Sequence, residues 1–307
     1  MSPEVRNLAA SVRDRLLNGA KQRGEVFHFV LVRYASERFL YRLGESRYRD
    51  RFILKGAMLY ALWGGTEYRP TRDLDFTAYG DSESRAVLEC IREVCVLPVE
   101  DDALVFHSDT LSGEPIRETE EYDGIRIKFT AGLGDAVIPL QIDVGFGNAI
   151  MPAANDVEYP TLLDSPSPRI RAYPQEAVVA EKFHAMVVLG EINSRIKDFY
   201  DMFVLANGFE FGGQPLAASV AATFERRQTP VDAPLPVALT PRFYADEARS
   251  ARWRTYIHRS SLPGAPADFA AVGELLGAFL TPVWNALAAN RPFEQRWPPR
   301  GPWSASQ

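Results

Sequence analysis

The spacing of apolar residues predicts helices at the N-terminus and strands in the middle of the chain. Apolar residues recur every three or four positions from Pro3 to Lys21 and again from Val26 to Leu43, which predicts two N-terminal helices. Apolar and polar residues alternate over Thr71–Ala78, Tyr122–Ala131 and Val137–Gly145, which predicts three strands. The first part of the chain therefore combines helices with a sheet.

The second part of the chain has a different pattern. A proline-rich, irregular link follows the strands and ends the first part near residue 165. The pattern beyond it predicts the helices Gln175–Leu189, Arg195–Asn207, Leu216–Arg226, Arg242–Tyr256 and Asp268–Ala289. We expect an α+β protein with an α/β domain over 1–165, a helical domain over 166–296 and a tail over 297–307.

Composition indicates a soluble protein. Of the 307 residues, 46% are hydrophobic and 24% are charged, which is ordinary for a globular chain. We find no apolar run close to the roughly 20 residues of a membrane span, and the N-terminus is too charged for a signal peptide. Cys90 and Cys95 are five residues apart in one helix-like segment and are expected to stay reduced. We expect a cytoplasmic protein without a membrane partner.

The net charge of −6 conceals an uneven distribution. Residues 1–60 carry 12 Lys and Arg against 6 Asp and Glu, whereas residues 61–241 carry 14 against 29. Basic ends around an acidic middle allow a nucleic-acid partner, although the arginines could also form an ordinary solvated surface. The arginines considered for a phosphate backbone are Arg33, Arg38, Arg42, Arg47, Arg49, Arg51, Arg242, Arg249, Arg252, Arg254 and Arg259.

The most informative stretch runs from Lys55 to Phe76. Asp73 and Asp75 alternate on a predicted strand, so their carboxylates share one face and repel each other unless a cation lies between them. A hard divalent cation such as Mg²⁺ suits these oxygen ligands. Gly56 opens a predicted helical segment, Lys55 to Trp63, where the backbone could approach a phosphate. An Asp-x-Asp sequence alone is usually a solvated strand or turn, but this combination predicts nucleotidyl transfer.

Asp143 is the third candidate carboxylate. It lies at the centre of a strand that is otherwise apolar, where a lone buried charge would be costly. Beside the Asp73 and Asp75 strand it would complete a site for two metal ions and help to deprotonate or orient the attacking hydroxyl. The alternative is a strand-end aspartate that binds backbone amides.

A second cluster falls in the helical half. Lys182 could hold a nucleotide phosphate as a mobile point charge. Asp198 and Asp201 are three residues apart and so are neighbours on one helix surface, where Asp198 could orient Lys182. The alternative is a solvated helix face with local ion pairs of little energetic weight.

Together these motifs resemble the AbiEii/AbiGii toxin family, the nucleotidyltransferase-like toxins of AbiE-type toxin–antitoxin systems. The resemblance covers about residues 26–207. The segments that carry it are Lys55-Gly-Ala, Arg69-Pro-Thr-Arg-Asp-Leu-Asp-Phe, Gln141-Ile-Asp-Val-Gly-Phe-Gly, Glu181-Lys and Arg195-Ile-Lys-Asp-Phe-Tyr-Asp, with Val32 to Leu43 similar to the family's N-terminal helix.

The resemblance implies a minimal polymerase-β-like nucleotidyltransferase domain, a mixed sheet with flanking helices, followed by a helical half. It implies an enzyme that uses NTP and Mg²⁺, adds NMP to RNA at the 3′ acceptor end of tRNA, blocks translation and has a cognate antitoxin. Asp73 and Asp75 would bind the metal, Lys182 the nucleotide phosphates, and Asp198 would be the partner acid. Thr71 matches a position where related toxins carry a hydroxyl residue that can be phosphorylated.

One position departs from the usual pattern. The nucleotidyltransferase signature continues from glycine to a serine that contacts phosphate, but here Ala57 follows Gly56. Backbone groups, Lys55 or Thr71 would have to supply the missing contact. The alternatives are transfer to a protein or to a small cationic molecule, and a nucleotide-binding regulatory protein without enzymatic activity.

Overall fold

The computed structural model describes residues 3–64, 71–119, 122–231, 234–260, 262 and 264–305. The chain forms two compact units. Within the described residues, the first unit comprises 3–64, 71–147 and 155–172, and the second comprises 148–154 and the chain from Tyr173 onward. The predicted domain bounds at 165 and 296 stay a prediction.

The first unit is built around a mixed β-sheet. Its helices are α1 (Pro3–Arg23), α2 (Phe27–Glu45), α3 (Leu59–Leu62) and α4 (Ser84–Cys95). Its strands are β1 (Phe52–Lys55), β2 (Asp73–Ala78), β3 (Leu104–Thr119), β4 (Tyr122–Leu133), β5 (Ala136–Phe146), β6 (Asn155–Glu158) and β7 (Arg169–Ala172). They form one sheet in the order β3-β4-β5-β2-β1-β7-β6. The pairs β2–β5 and β1–β7 are parallel. The other neighbouring pairs are antiparallel. The expected α+β class with a mixed sheet is confirmed.

Alternation along the strands divides the sheet into an apolar and a polar face. On β5, the buried side chains of Ile138, Leu140, Ile142 and Val144 alternate with more exposed positions. Phe39 of α2 contacts strand residues on the apolar face, with ring centroids 6.0 Å from Phe106 and 5.8 Å from Phe129. Each aromatic side chain buried in this way contributes roughly 1.5–3 kcal/mol. The polar residues of β2, β4 and β5 therefore lie on the opposite face.

Two of the arginines considered for RNA binding are part of this core. Arg38 and Arg42 of α2 are buried. Arg38 donates to the backbone oxygen of Pro166, and Arg42 forms two hydrogen bonds with the Asp102 carboxylate, at 2.7 and 3.0 Å. The RNA interpretation is wrong for these two residues because their guanidinium groups hold loops against α2.

The second unit is mainly helical. Its helices are α5 (Gln175–Leu189), α6 (Ile196–Gly208), α7 (Gly213–Arg226), α8 (Pro241–Tyr244), α9 (Glu247–Arg259) and α10 (Phe269–Ala288). The single helix predicted over Arg242–Tyr256 is wrong. The first segment, α8, ends at Tyr244, and Asp246 caps α9, since its carboxylate accepts a hydrogen bond from the Arg249 backbone N–H at 2.8 Å.

The sequence pattern did not predict five short strands, several of which lie in proline-rich segments. The proline-rich link contains β6 and β7, and the second unit contains a small sheet of β8 (Phe211–Gly212), β9 (Gln295–Trp297) and β10 (Ser304–Ala305). The described part of the predicted tail packs within the second unit. Trp297 is buried and donates its indole N–H to the Ala206 carbonyl at 2.8 Å, and Trp303 stacks on Phe279 with centroids 5.8 Å apart.

Helix α10 corrects the expectation that no segment reaches the length of a membrane span. Among the described residues, it is the one helix long and apolar enough by length and composition. Val272, Leu276, Phe279 and Val283 of α10 are buried within the second unit. A core helix of a soluble protein passes the same test, so α10 is weak evidence for a membrane.

Candidate active site

Strand register places five charged residues in one line across the polar face of the sheet. Lys55 on β1 is the register partner of Asp75 on β2, and Asp75 is the partner of Asp143 on β5. Asp143 is in turn the partner of Arg126 on β4, which is the partner of Glu114 on β3. Register partners extend to the same side of a sheet. We call this line, Lys55–Asp75–Asp143–Arg126–Glu114, the charged row.

The two aspartates of the Asp-x-Asp sequence lie where the alternation predicted. Asp73 and Asp75 are both partly buried on β2, while Leu74 and Phe76 between and after them are buried on the other face. Asp73 is the register partner of Gln141, one pair along from Asp75 and Asp143. The parallel pairing of β2 with β5 therefore brings the three predicted carboxylates into one region of the sheet.

Gly56 lies against the Asp75 carboxylate, at the turn where the sequence suggested that a phosphate could approach the backbone. The predicted helical segment from Lys55 to Trp63 is confirmed in part, since Lys55 ends β1 and a 3₁₀ turn, Gly56–Met58, leads into the four-residue α3. Gly56 has φ = +71°, and a Cβ placed on it would lie 2.1 Å from Oδ2 of Asp75. The glycine is therefore required for the close approach of the turn to the Asp75 carboxylate.

Asp143 is held by an arginine that the motifs did not reveal. Arg126 donates from Nε to Oδ1 of Asp143 at 2.9 Å and from Nη2 to Oδ2 at 2.7 Å. Gln141 donates a further hydrogen bond to Oδ1 at 3.2 Å. The side chains of Arg126 and Asp143 are 35% and 20% exposed. The hydrogen bonds with Asp143 raise the pKa of Arg126, so the guanidinium stays charged. The alternative in which Asp143 binds backbone amides does not describe its contacts.

Asp73 and Asp75 have the ligand chemistry that Mg²⁺ prefers, although they form no larger cluster of metal ligands with other described residues. Within the described ranges, no three His, Cys, Asp or Glu side chains are grouped closely enough to hold a metal ion. Asp73 and Asp75 still supply the donors that Mg²⁺ commonly uses, one or two carboxylates with water and substrate phosphates completing the shell. The pair fits Mg²⁺, whereas Asp143 in this arrangement has its oxygens directed at Arg126.

Two further predicted residues border the site. The hydroxyl of Thr71 lies 3.4 Å from the backbone N and O of Asp73, immediately before β2. Ala57 is buried in the 3₁₀ turn after Gly56. Arg69 and Pro70, which begin the Arg-x-Thr-Arg-Asp motif, lie outside the described residues.

The second predicted cluster is a buried ion-pair group in the second unit. Nζ of Lys182 lies 2.8 Å from Oδ1 of Asp198 and 2.8 Å from Oδ2 of Asp201. The side chains of Lys182, Asp198 and Asp201 are 14%, 2% and 1% exposed. The predicted contact between Asp198 and Lys182 is confirmed, and the alternative of a solvated helix face is wrong.

Charge balance explains how this cluster tolerates burial. Arg195 adds a second cation, with Nε 2.6 Å from Oδ2 of Asp198. Burial would raise the pKa of Asp198, but the charges of Lys182 and Arg195 outweigh it and lower that pKa. Two cations thus face two carboxylates, so the removal of one of the buried members upsets the charge balance of the group.

Arg126 could have been found from the sequence by counting residues. A loop of four residues at Gly132–Asp135 would place Arg126 opposite Gln141. The turn in the structure has two residues, Gly134 and Asp135, with φ = +58° at Gly134, and pairs Leu133 with Ala136. The shorter turn moves the register by two and places Arg126 opposite Asp143.

Comparison with known proteins defines the class of the protein. The sequence profile described as nucleotidyl transferase AbiEii toxin, type IV toxin–antitoxin system, matches residues 38–275. This range is more than half of the chain and contains all the predicted site residues. The chain belongs to this family of nucleotidyltransferase toxins. Membership implies an antitoxin partner.

Two solved structures from Helicobacter pylori are similar in fold. One, provisionally described as a nucleotidyltransferase, is 13% identical over 85% of this chain and 96% of its own, with a TM-score of 0.49. The other, JHP933, is 13% identical over 83% of this chain and 90% of its own, with a TM-score of 0.47. No curated protein sequence matches this chain.

Proposed function

We propose that this protein is a Mg²⁺-dependent toxin that transfers NMP from NTP to the 3′ acceptor end of tRNA and so blocks translation in the cytoplasm. The observation that carries the proposal is the placement of Asp73 and Asp75 on the polar face of the sheet, beside Asp143, in a chain of the nucleotidyltransferase toxin family. A pair of carboxylates with Mg²⁺ is the common chemical requirement of such transfer.

In the proposed reaction, the 3′ hydroxyl oxygen of the acceptor forms a bond with the α-phosphorus of NTP. The bond between that phosphorus and the oxygen bridging to the β-phosphorus breaks, pyrophosphate leaves, and the hydroxyl proton passes to solvent. Asp73 and Asp75 would hold Mg²⁺, which supplies charge neutralisation for the phosphates when bound. Asp143 would orient the attacking hydroxyl.

Lys182 is proposed to bind the β- or γ-phosphate. Its ammonium group carries three donors, and Asp198 and Asp201 fix its position at 2.8 Å each. A lysine fixed in this way presents a defined point charge to a phosphate. Asp198 is therefore proposed to act through Lys182.

Lys55, Gly56, Ala57 and Thr71 are proposed to line the nucleotide site. The backbone of the turn at Gly56, next to Asp75, and the Lys55 ammonium would replace the serine hydroxyl that Ala57 lacks. Thr71 is also proposed as a regulatory phosphorylation site. A phosphate there would add negative charge beside Asp73, whose backbone the Thr71 hydroxyl already contacts, and would oppose NTP binding.

The proposed RNA contact uses helix α9. Arg252, Arg254 and Arg259 are exposed on its outer side, whereas Arg249 is mostly buried and lies 2.9 Å from the Glu191 carboxylate. Exposed arginines can neutralise backbone phosphates, which makes affinity fall with salt. The first-unit arginines Arg38 and Arg42 make no part of this surface.

The test supplies each α-labelled NTP in turn to the full-length protein with Mg²⁺ and total tRNA. Parallel reactions replace tRNA with no added acceptor or with an aminoglycoside. We expect label on tRNA from one preferred NTP, with mobility shifted by added nucleotides at the 3′ end. Blocking that end by periodate oxidation should abolish labelling.

Other outcomes would contradict the proposal in distinct ways. Label on the protein itself or on the aminoglycoside would show nucleotidyl transfer to a different acceptor. No label from any NTP, with protein that binds NTP and remains folded, would favour a regulatory nucleotide-binding protein. Salt-insensitive tRNA affinity would contradict the α9 surface.

A further inference from the structure

Both carboxylate oxygens of Asp143 are engaged by neighbouring side chains of the sheet. Both of its oxygens accept hydrogen bonds from Arg126, and Gln141 donates to one of them. The parallel Nε and Nη2 contacts match the fork geometry in which arginine binds a carboxylate most strongly. A metal ion could use Asp143 only by displacing a guanidinium bound at two points.

Arg126 also provides charge that the site needs. Asp75 and Asp143 are register partners, so two negative charges lie side by side in the charged row. In a two-ion site, a second divalent cation would offset the third carboxylate. A guanidinium remains protonated under all ordinary conditions, so Arg126 supplies a permanent positive charge at that position.

We propose that Arg126 takes the place of the second divalent cation, so that this protein binds one divalent cation, at Asp73 and Asp75, and keeps Asp143 out of the metal shell. This inference rests on the proposed metal-dependent function. Arg126 is then a positioning residue that fixes Asp143 through two hydrogen bonds. Mg²⁺ sites with two protein carboxylates and several waters are chemically ordinary.

Lys128 offers a matched control on the same strand and face. It lies two residues from Arg126, its register partner on β5 is Gln141, and its Nζ pairs with Glu114 at 2.7 Å. Its loss removes the same charge from β4 as the loss of Arg126 does. Lys128 pairs with Glu114 on β3, whereas Arg126 pairs with Asp143. Comparing the two variants therefore separates the effect of losing one positive charge from the effect of releasing Asp143.

The test is a titration of the full-length protein with Mn²⁺ alone, with free Mn²⁺ followed by electron paramagnetic resonance. We expect one bound Mn²⁺ per chain for the wild type and for Lys128→Met, and two for Arg126→Met. The double variant Arg126→Met with Asp143→Asn should return to one, since the released carboxylate is removed. Circular dichroism confirms that each variant is folded.

A wild-type protein that binds two Mn²⁺ ions, or none, would overturn the inference, and this titration decides the question even if Arg126→Met fails to fold. A folded Arg126→Met that still binds one would overturn it as well. The proposed function fails separately, because absence of NMP transfer alongside the expected stoichiometries would leave this inference standing.

Discussion

Gly56 lies directly against Asp75, so that a Cβ on the glycine would be 2.1 Å from Oδ2 of the aspartate. Two atoms that are not bonded to each other cannot lie this close, so the turn or the carboxylate would have to shift. The Lys-Gly-Ala motif and the Asp-x-Asp motif are therefore two sides of one contact. Gly56 has φ = +71°, which adds a backbone requirement for glycine to the steric one.

Gly56→Ala should reduce both stability and NMP transfer. The strained φ costs about 1–2 kcal/mol, and the displacement of Asp75 adds to that cost and disturbs the metal pair. We expect at least a tenfold loss of transfer, measured with labelled NTP, together with a lower Tm.

Gly64→Ala is the control for this prediction. Gly64 also has φ = +71°, but a Cβ there would meet no atom of the described residues within 4 Å. Gly64→Ala should lose only the stability that the positive φ costs and should keep its transfer activity. Equal losses of activity in the two variants would show that the contact with Asp75 does not matter.

Most of the candidate site could be predicted from sequence because short-range rules place it. Alternation on β2 set Asp73 and Asp75 on one face, and helical spacing set Asp198 near Asp201. The contact of Lys182 with Asp198 joins two helices, so sequence spacing could suggest it but could not fix its distance. Arg126 was missed because an arginine at a polar position of an alternating strand looks like an ordinary exposed residue, and only the length of the turn at Gly134 shows its partner.

The fold was less predictable wherever local signals opposed tertiary contacts. Prolines around β6 and β7 indicated an irregular link, yet Ile170 of β7 is buried between neighbouring elements of the first unit. The residues after Trp297 resembled a tail because of three prolines and a glycine. Burial of Trp297 and the stacking of Trp303 on Phe279 hold this segment instead, and such contacts cannot be read from local sequence.

Lys182→Met should strongly destabilise the second unit. It removes the cation that lies 2.8 Å from each of the buried carboxylates of Asp198 and Asp201, and breaking a buried ion pair from one side costs about 3–5 kcal/mol. Urea denaturation followed by tryptophan fluorescence reports this unit, because four of the five tryptophans lie after residue 250.

The exposed neighbour Lys197 provides the comparison for that measurement. Lys197→Met removes a charge from the same helix α6 on its solvent side and should change the unfolding free energy by less than about 0.5 kcal/mol. If Lys182→Met were as stable as Lys197→Met, the buried ion-pair group would have no structural role.

Stability of the second unit should fall in mild acid because of His184. Arg227 can only donate, so its contact with Nδ1 at 3.3 Å fixes a neutral ring whose Nε2–H faces the Thr229 hydroxyl at 2.8 Å. Burial, and then the charge of Arg227, lower the pKa of His184 to about 4, against a weak opposing effect of Glu181. The unfolded chain therefore binds the proton more readily than the folded one.

The sign of the pH effect follows from that difference. Stability from His184 is complete above pH 6.5 and is lost as the pH falls from there toward 4, by up to about 3 kcal/mol. His184→Gln should flatten the pH dependence of the unfolding free energy in this window. An unchanged slope between pH 6.5 and 4 in the variant would show that His184 does not titrate in this way.

The most direct test of the central claim compares NMP transfer by the wild type, Asp75→Asn and Glu114→Gln. Both substitutions remove one carboxylate from the charged row, but Glu114 lies at its outer end and pairs with Lys128. With folding verified for each protein, we predict a loss of about a thousandfold or more for Asp75→Asn, from the several kcal/mol that metal-assisted charge neutralisation supplies. Glu114→Gln should stay within about threefold of the wild type, since exposed ion pairs contribute little. Full activity in Asp75→Asn would contradict the assignment of the metal site and with it the proposed mechanism.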